Sequence, residues 1–557
     1  MHDVQKPVYS VDFETVVDPN ETRVWLWGKC DIDCTTFVYG TDIDSFMEEI
    51  STVDCKAYFH NIKFDVQFMF YWLFHNGYKH TSERKPREGY FTTLISDMGL
   101  FYTCKVHFFN GTIVEFIDSY KLITLPVRDI PKAFGLDIHK LDLDYAENRD
   151  FNHVPTEEEI SYVKADVEIV AKGIKAMHEN GLIKMTAASN ALYNYKKVLS
   201  NKEFKRRFPP IEYAVDKDCR KSYKGGWTYL NEAYQGMMVG EGQVYDVNSM
   251  YPWAMKYCML PFGNPYYYDG EYKPDEFYPL YIQCLQCCFS LKKGHYPSIQ
   301  LKNSFRFSST EYIKESGDDP VILHLTSVDL KLLFDNYDVW DITYIGGYKF
   351  RGETGLFSEY IDYWYDVKQK AKVEGNKAMY HIAKLMLNSL YGKFGSNPEK
   401  ASKYPYLDET DDIVKYRRLM PEIGSGGYIP VAAFITSYAR DKIIRAANAC
   451  GDRFIYADTD SVHVVGREKV DLDIDNYRLG AFKLEGEFTR AKYHRAKCYI
   501  EEFDGELDKK CAGLPVSARH LFNFDTMEPG QIFEGKLVPK NIKGGVVLVE
   551  RPFQIKG

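Results

Sequence analysis

Apolar and polar positions alternate with period two in "VYSVDFET", residues 8–15, the mark of a strand with two distinct faces. Further on, "TEEEISYVKADVEIVAKGIKAM" carries helical spacing, with Thr156 as N-cap, acids in the first turn and lysine near the end. Residues 1–186 alternate such patterns, which predicts an α/β domain. Around "GLIKMTAASNALYNY" the pattern changes and a second region begins.

In that region "EGQVYDVNSMYP" reads as a strand running into a loop ended by Pro252. Residues 258–353 are rich in Tyr, Pro and short strand-like runs. "GLFSEYIDYWYDVKQKAK" and "HIAKLMLNSLYGKFG" predict two helices joined by "VEGN". Residues 397–427 read as loops with weak strands, and "YIPVAAFITSYARDKIIRAANAC" as a helix. "FIYADTDSVHVV" reads as a buried strand interrupted by two acids, and "NIKGGVVLVERPFQIK" as a hairpin or short strand pair.

At 557 residues the chain is too long for one ordinary core, so several domains are expected. With 45% apolar and 27% charged residues it has a soluble globular balance. No apolar run approaches the ~20 residues of a membrane span. Twelve cysteines without a secretory start imply reduced thiols in a cytoplasmic setting. "CLQCC" lacks the second pair a zinc site needs and lies in a strand-like run, so its cysteines read as structural. A net charge of -9 does not advertise a nucleic-acid binder, although a local basic groove can coexist with acidic clusters.

Asp458 and Asp460, two apart on a strand, would point to one face. Two such carboxylates repel and are costly to desolvate, unless a divalent cation shares them. Taken alone, Asp-Thr-Asp fits a solvated hairpin turn equally well. Asp246, at the end of another apolar strand, adds a third acid. Three acids from two strands could bracket two metal ions about 3.5–4 Å apart, the geometry for in-line phosphoryl displacement. Lys384, Asn388 and Tyr391 share a helix face, offering an ammonium for phosphate and a ring for a base. Asp12 and Glu14 share a strand face opposite Val11 and Phe13. His60, Asn61 and Asp65 follow a short strand, and Tyr162 and Asp166 lie four apart on one helix.

In order, "DVNSMYP", "KLMLNSLYG", "TSYAR" (Thr436 to Arg440) and "YADTDS" resemble motif A, motif B, a Tx2AR element and motif C of the family B DNA polymerases. The local wording more closely resembles that of the phi-29-type protein-primed DNA polymerases of small phages. "SYKGGWTYL" (Tyr223, Gly225, Gly226) resembles their YxGG element, and "RAKCYI" (Lys497, Tyr499) their KxY element.

The resemblance implies an RNase H-like 3′–5′ exonuclease over 1–186 ahead of a right-hand polymerase, α/β and α+β in class. The palm would span 187–257 and 428–502, the fingers 354–396 and the thumb 503–557. Insertions at 258–353 and 397–427 would dock a terminal protein and help encircle DNA. Asp246, Asp458 and Asp460, with Val247, would hold two Mg²⁺ or Mn²⁺ ions at the polymerase site. Asp12, Glu14, Asp65 and Asp166 would hold two more at the exonuclease site. Tyr162 would orient the attacking water there, with Lys140 near the scissile phosphate. Tyr251 would exclude a 2′-hydroxyl, Tyr391 would meet the nascent base pair, and Lys384, Asn388 and Lys368 would serve the triphosphate. Asn61, Phe64, His60, Tyr223, Gly225, Gly226, Thr436, Arg440, Lys497 and Tyr499 would contact DNA.

Implied partners are template-primer DNA, dNTPs, a terminal protein as primer and a single-stranded DNA-binding protein. No membrane is implied, and the form would be a monomer or a heterodimer with terminal protein in the host cell cytoplasm. Met250 replaces the usual motif A leucine, a volume-conserving swap. Tyr380 stands where the family has a second lysine, and Lys370, Lys372 and Lys377 compete with Lys368. The acidic balance implies a stronger salt sensitivity of DNA binding. Three other readings are a nuclease with a relict palm, a non-catalytic replication scaffold and a reverse transcriptase. The intact polymerase residues, the two acidic sets and the lack of an adjacent Asp-Asp pair weigh against them in turn.

Overall fold

The computed structural model describes residues 6–16, 18, 22–143, 149, 153–300 and 311–556. The chain is a multidomain α/β protein with several mixed or antiparallel sheets. The N-terminal sheet has ten strands. Its order is Ile413–Arg418, Ser402–Asp408, Tyr90–Ser96, Phe101–His107, Ile113–Asp118, Cys55–Phe59, Val8–Thr15, Val24–Asp31 and Phe37–Gly40, with Lys79–His80 pairing on Tyr90–Ser96. Two of these strands come from residues 397–427, which the hydropathy pattern marked only as weak. Ser402 and Lys403 pair with Ser96 and Ile95, so this distant segment finishes the sheet edge.

Helix Glu157–Glu179 crosses that sheet. Thr156 caps it in a full capping box with Glu159, as the acids after Thr156 predict. Its inward face buries Val163, Val167, Ile169 and Val170, and with them Tyr162 and Asp166. A buried acid on the apolar side of a helix needs a counter-charge or a ligand.

The central sheet runs Phe482–Phe488, Gly242–Val247, Ser461–Val465, Phe454–Asp458 and Thr228–Leu230. Three expectations are corrected here. "FIYADTDSVHVV" is not one strand but two, turned at Asp458–Ser461 with Thr459 at φ 68°. Asp-Thr-Asp is the hairpin tip, since a left-handed residue cannot continue a pleated strand. Pro252 does not end a loop; it sits in the first turn of helix Met250–Tyr257, where its missing N–H costs no hydrogen bond. The strands within 258–353 are long, not short: Tyr337–Thr354 pairs antiparallel with both Met259–Asp269 and Leu280–Leu291, and Val321–Thr326 completes the sheet beyond Leu280–Leu291. The "CLQCC" cysteines lie in Leu280–Leu291 and are free. The helix Ser358–Val373 and the hairpin Ile532–Ile542/Gly545–Gln554 match their predicted positions. The next helix, Lys377–Ser389, ends earlier than its pattern predicts, and Tyr391 opens a separate short helix, Tyr391–Phe394. No helix among the described residues is long and apolar enough to cross a membrane.

The buried helix Ile429–Cys450 backs the central sheet. From it Arg440, 2% exposed, meets Asp329 at 2.6 and 3.1 Å and donates to the carbonyls of Lys224 and Gly225 at 2.9 and 2.7 Å. Burial would push the Asp329 carboxyl up, but the Arg440 guanidinium more than cancels this and holds it low.

Removing one partner of a buried pair strands the other, at about 3–5 kcal/mol. Arg440→Met should therefore lower the thermal midpoint sharply. Arg440→Met/Asp329→Leu should recover part of the loss, as checked by calorimetry on the two variants.

Candidate active sites

Two acidic sites emerge, one in each of these sheets. In the N-terminal sheet, Asp12 and Glu14 project from Val8–Thr15 and meet Asp166 of the long helix. One carboxylate oxygen from each lies within 4.8 Å of the others. Among the described residues this is the one set of three possible ligands so closely grouped. Asp65, buried just ahead of helix Val66–His75, falls outside that set, although its charge still acts on Glu14 and the charge of Asp12 acts on it. Lys140 bonds Asp166 directly and lies 4.7 Å from the Tyr162 ring centroid. Tyr162 also hydrogen-bonds Asp166.

The electrostatics are those of a cluster awaiting positive charge. Desolvation, then the charge of Asp166, pushes the Asp12 carboxyl up to about 7. Desolvation and Asp12 push Glu14 well above the carboxylate range. Asp65 rises from burial and Asp12, and Asp166 rises from burial despite Lys140. Oxygen-only donors in mutual repulsion fit a hard divalent cation such as Mg²⁺ or Mn²⁺. Asn61 is exposed at φ 70°, and Phe64 is half-buried against Phe68. His60 corrects the expectation of a DNA contact through its ring nitrogens. Nδ1 meets Ser119 Oγ at 2.9 Å and Nε2 meets the Leu125 carbonyl at 2.7 Å, so both are used internally.

The second site is a cavity of about 560 Å³ between the central sheet and the two helices beyond it. Asp246 and Asp460 line it, together with Val247, Tyr251, Lys368, Lys384, Asn388 and Tyr391. Strand pairing sets Asp246 opposite Ser461, next to Asp460, and the Val247 amide donates to the Asp460 carbonyl at 2.9 Å. Burial, then Asp460, pushes Asp246 up to about 7, and burial also raises Asp460. These oxygens too fit a divalent cation. Asp458 stands apart from the cavity lining. Both its oxygens take Lys497 Nζ at 2.8 Å, and Thr228 Oγ1 donates to it at 3.1 Å.

Tyr251 and Tyr391 stack at 4.2 Å. Lys368 reaches Ser249 Oγ at 3.3 Å. Of its rivals, Lys372 also lines the cavity, whereas Lys370 points to solvent beside Glu374. Sequence reasoning missed Lys483 and Glu485, which line the cavity from the strand next to Asp246. Pairing across strands leaves no local signal that could have found them. Tyr380 lines the cavity too, in the place of the expected lysine.

The remaining positions support the hairpin from behind. Thr436 is 1% exposed and its hydroxyl bonds the Ala432 and Ala433 carbonyls, and Arg440 is engaged as described. Both correct the expectation of a DNA contact: burial removes them from any ligand. Tyr499, 8% exposed, is packed among Tyr456, His463 and Tyr493, a third correction. Lys497 remains reachable. Tyr223 packs its ring beside Gly395, Gly225 is held by Arg440, and Gly226 lies against the hairpin tip. A Cβ on Gly226 would meet Thr459 Cγ2 at 2.7 Å.

Residues 146–478 match the family described as DNA polymerase type B, organellar and viral. The DNA polymerase of Bacillus phage B103 is 40% identical over 99% of this chain and 100% of its own length. That of Bacillus phage phi29 is 39% identical over 100% of both. The phi29 polymerase complexed with primer-template DNA matches with a TM-score of 0.94 at 37% identity, covering 99% of this chain and 100% of that one. Its ternary complex with primer-template DNA and incoming nucleotide substrates matches at 0.93 and 38%, over the same shares.

Two outcomes follow from the sites. The raised carboxyls of the first site keep protons, in the metal-free fold, that the unfolded chain releases above about pH 4. Their contribution to stability therefore falls as pH climbs from about 4 to about 7. In chelator, Asp12→Asn should raise the thermal midpoint at pH 8 and leave it unchanged near pH 4. Mg²⁺ at pH 8 should raise the wild-type midpoint more than the variant's. Gly226→Ala should push the hairpin tip off its position and slow extension of a DNA primer on the order of 10²-fold, the cost of about 1 Å of misplacement.

Proposed function

The chain belongs to the organellar and viral type B DNA polymerases and is a DNA-directed DNA polymerase of the phi29 type, and on that premise we propose that it couples primer extension to 3′–5′ proofreading and starts from a terminal protein. The observation that carries the extension site is the cavity where Asp246, Asp460, Lys368, Lys384, Tyr251 and Tyr391 converge from separate segments of the chain.

Asp246, Asp460 and Asp458, with Val247, would hold Mg²⁺ or Mn²⁺ ions. Bound there, such ions lower the pKa of an attacking hydroxyl and neutralise charge on phosphates. The chain's own groups do the rest. Lys384 and Lys368 offer ammonium charge to a triphosphate, with Asn388 one turn on. The stacked Tyr251 and Tyr391 make a flat aromatic wall that a base pair can meet. The Tyr251 ring leaves little room for a 2′-hydroxyl. Lys497, already within reach of Asp458, is placed to meet a primer end, and the packed Tyr499 supports the hairpin that carries it.

Asp12, Glu14, Asp65 and Asp166 form the proofreading site in this reading. Tyr162 donates to Asp166 and orients water beside it. Lys140 offsets the charge of Asp166 and faces the phosphate to be cut. Asn61 and Phe64, at the rim, meet the single-stranded end.

The segments divide into exonuclease (1–186), palm (187–257 and 428–502), fingers (354–396) and thumb (503–557). Residues 258–353 are the surface for a terminal protein. Residues 397–427 and the thumb hairpin enclose DNA and favour strand displacement. Contacts at the N-terminal domain support enclosure. Thr22 Oγ1 donates to the Val546 carbonyl at 3.0 Å, and Asn541 bonds both Gln67 and the Val414 carbonyl at 2.9 Å. A phage-encoded enzyme of this kind works in the host cytoplasm.

Primer extension on a single-stranded template with Mg²⁺ and dNTPs tests the reading. Asp458→Ala should lose extension by at least about 10²-fold, the scale of removing charge stabilisation at a reacting phosphate. It should keep primer shortening without dNTPs, and Asp166→Ala should do the reverse. Shortening without extension in the unmodified chain would leave a nuclease with a relict palm instead.

A further inference from the structure

Among the free cysteines, Cys498 and Cys511 stand out by register. Strands Cys498–Phe503 and Glu506–Cys511 form a hairpin in which these two residues face each other directly. The Ala512 amide donates to the Lys497 carbonyl at 2.9 Å, which makes Cys498 and Cys511 a non-hydrogen-bonded pair. In such pairs the Cα atoms lie about 4.5 Å apart and the side chains approach closely. That spacing falls within the range of roughly 4.4–6.8 Å that a disulfide spans. The two sulfurs are in fact 3.5 Å apart, the Cys498 thiol donating to the other. Closing from there to a bond of about 2.05 Å draws the two strands together at this pair.

The two thiols are unequal in a useful way. Cys498 is fully buried, whereas Cys511 is half-buried and reachable. The hydrogen bond from Cys498, then the charge of Arg495, favours the Cys511 thiolate. A thiolate is the nucleophile of disulfide exchange.

Position gives the pair a consequence. Cys498 follows Lys497, whose backbone is left-handed at φ 58° and whose Nζ holds both oxygens of Asp458. The Lys497 amide donates to the Tyr456 hydroxyl at 3.0 Å. Movement of Cys498 toward Cys511 therefore acts on the residue that bridges this hairpin to the acidic tip.

We propose that Cys498 and Cys511 are a modification site that a small-molecule disulfide such as oxidised glutathione converts to a cross-strand bond, displacing Lys497 and slowing primer extension. Cys511 thiolate attacks one sulfur of the small disulfide and expels a thiolate, which takes up the proton that Cys511 gave up. The deprotonated Cys498 then attacks the mixed disulfide at Cys511 and expels the second thiolate, protonated in turn. Two protein thiols are oxidised to one disulfide, and one small disulfide is reduced to two thiols. A reducing glutathione pool returns the pair to thiols.

The test is incubation of the full chain with oxidised glutathione, alkylation of remaining thiols and tryptic mapping without reductant. The expected product is peptide 498–509 joined to peptide 511–519, two hydrogens lighter than the sum. Extension should fall at least about threefold in the same sample and return with dithiothreitol. Cys498→Ser and Cys511→Ser should each block both effects; either one alone suffices if the other fails to fold. A map without that joined peptide, or one joining only Cys30 to Cys34, overturns the site. Joined peptide with unchanged extension overturns its coupling to Lys497. The extension arm rests on the proposed roles of Asp458 and Lys497. The peptide arm does not, so a failure of that functional reading shows as loss of extension before any oxidation.

Discussion

The buried guanidinium of Arg440 supports the hairpin tip that carries Asp458 and Asp460 although it touches neither acid. It binds Asp329 through two hydrogen bonds and holds the carbonyls of Lys224 and Gly225. The next residues complete the chain of contacts. Gly226 packs on Thr459, and the Thr459 amide donates to the Trp227 carbonyl at 2.8 Å. Thr459 is the left-handed residue that separates Asp458 from Asp460. An ion pair in the interior thus fixes a loop, the loop seats a turn, and the turn fixes the direction of two carboxylates. Arginine suits the task because its planar fork can serve a carboxylate and two carbonyls at once. Lysine, a single point of charge, could not.

Each acidic site also carries its own lysine. Lys140 bonds Asp166 in the N-terminal sheet, and Lys497 bonds Asp458 at the central hairpin. In both cases one acid of the cluster is paired, and burial first, then the charge of neighbouring acids, pushes Asp12, Glu14, Asp246 and Asp460 toward protonation. A lysine of this kind neutralises part of the cluster without filling it. The acidic sum of the whole chain says little about either site, because the field at each is set by neighbours within a few ångströms.

The sequence made much of this legible, and its failures have physical causes. Period-two spacing placed Asp12 and Glu14 on one face, and a four-residue step placed Tyr162 beside Asp166. Both are local relations that the backbone geometry alone enforces. Lys384 and Asn388 were legible for the same reason, whereas Tyr391 lies past the end of their helix and opens the short helix Tyr391–Phe394. The turn at Thr459 was not, because strand and hairpin share the same apolar flanks and differ only in one residue's φ. Nor was the interior role of Thr436 and Arg440. A motif reports that residues matter together; burial decides whether they touch a ligand or hold something that does. Lys483 reaches the cavity by pairing with the strand of Asp246, a relation across more than two hundred positions that no window along the chain contains.

The same limit explains the weak signal at residues 402–418. Strands that complete the edge of another domain's sheet take part of their stability from that partner, so their own apolar pattern can be short. Ser402 and Lys403 give two registered pairs with the strand Tyr90–Ser96. Tyr416 then reaches Gln67 at 2.5 Å, and Asn541 of the terminal hairpin bonds the same Gln67 oxygen. Asp412 meets Tyr71, His75 and Lys543 at 2.8, 3.1 and 3.2 Å. One glutamine side chain and one aspartate therefore join three segments that lie hundreds of residues apart. Apolar packing joins them as well: Val414 and Val546 are buried in the same core cluster as Val66, Phe68 and Phe70. The joint is therefore apolar at its centre and polar at its rim. Burial supplies its strength, and the directional hydrogen bonds fix its register.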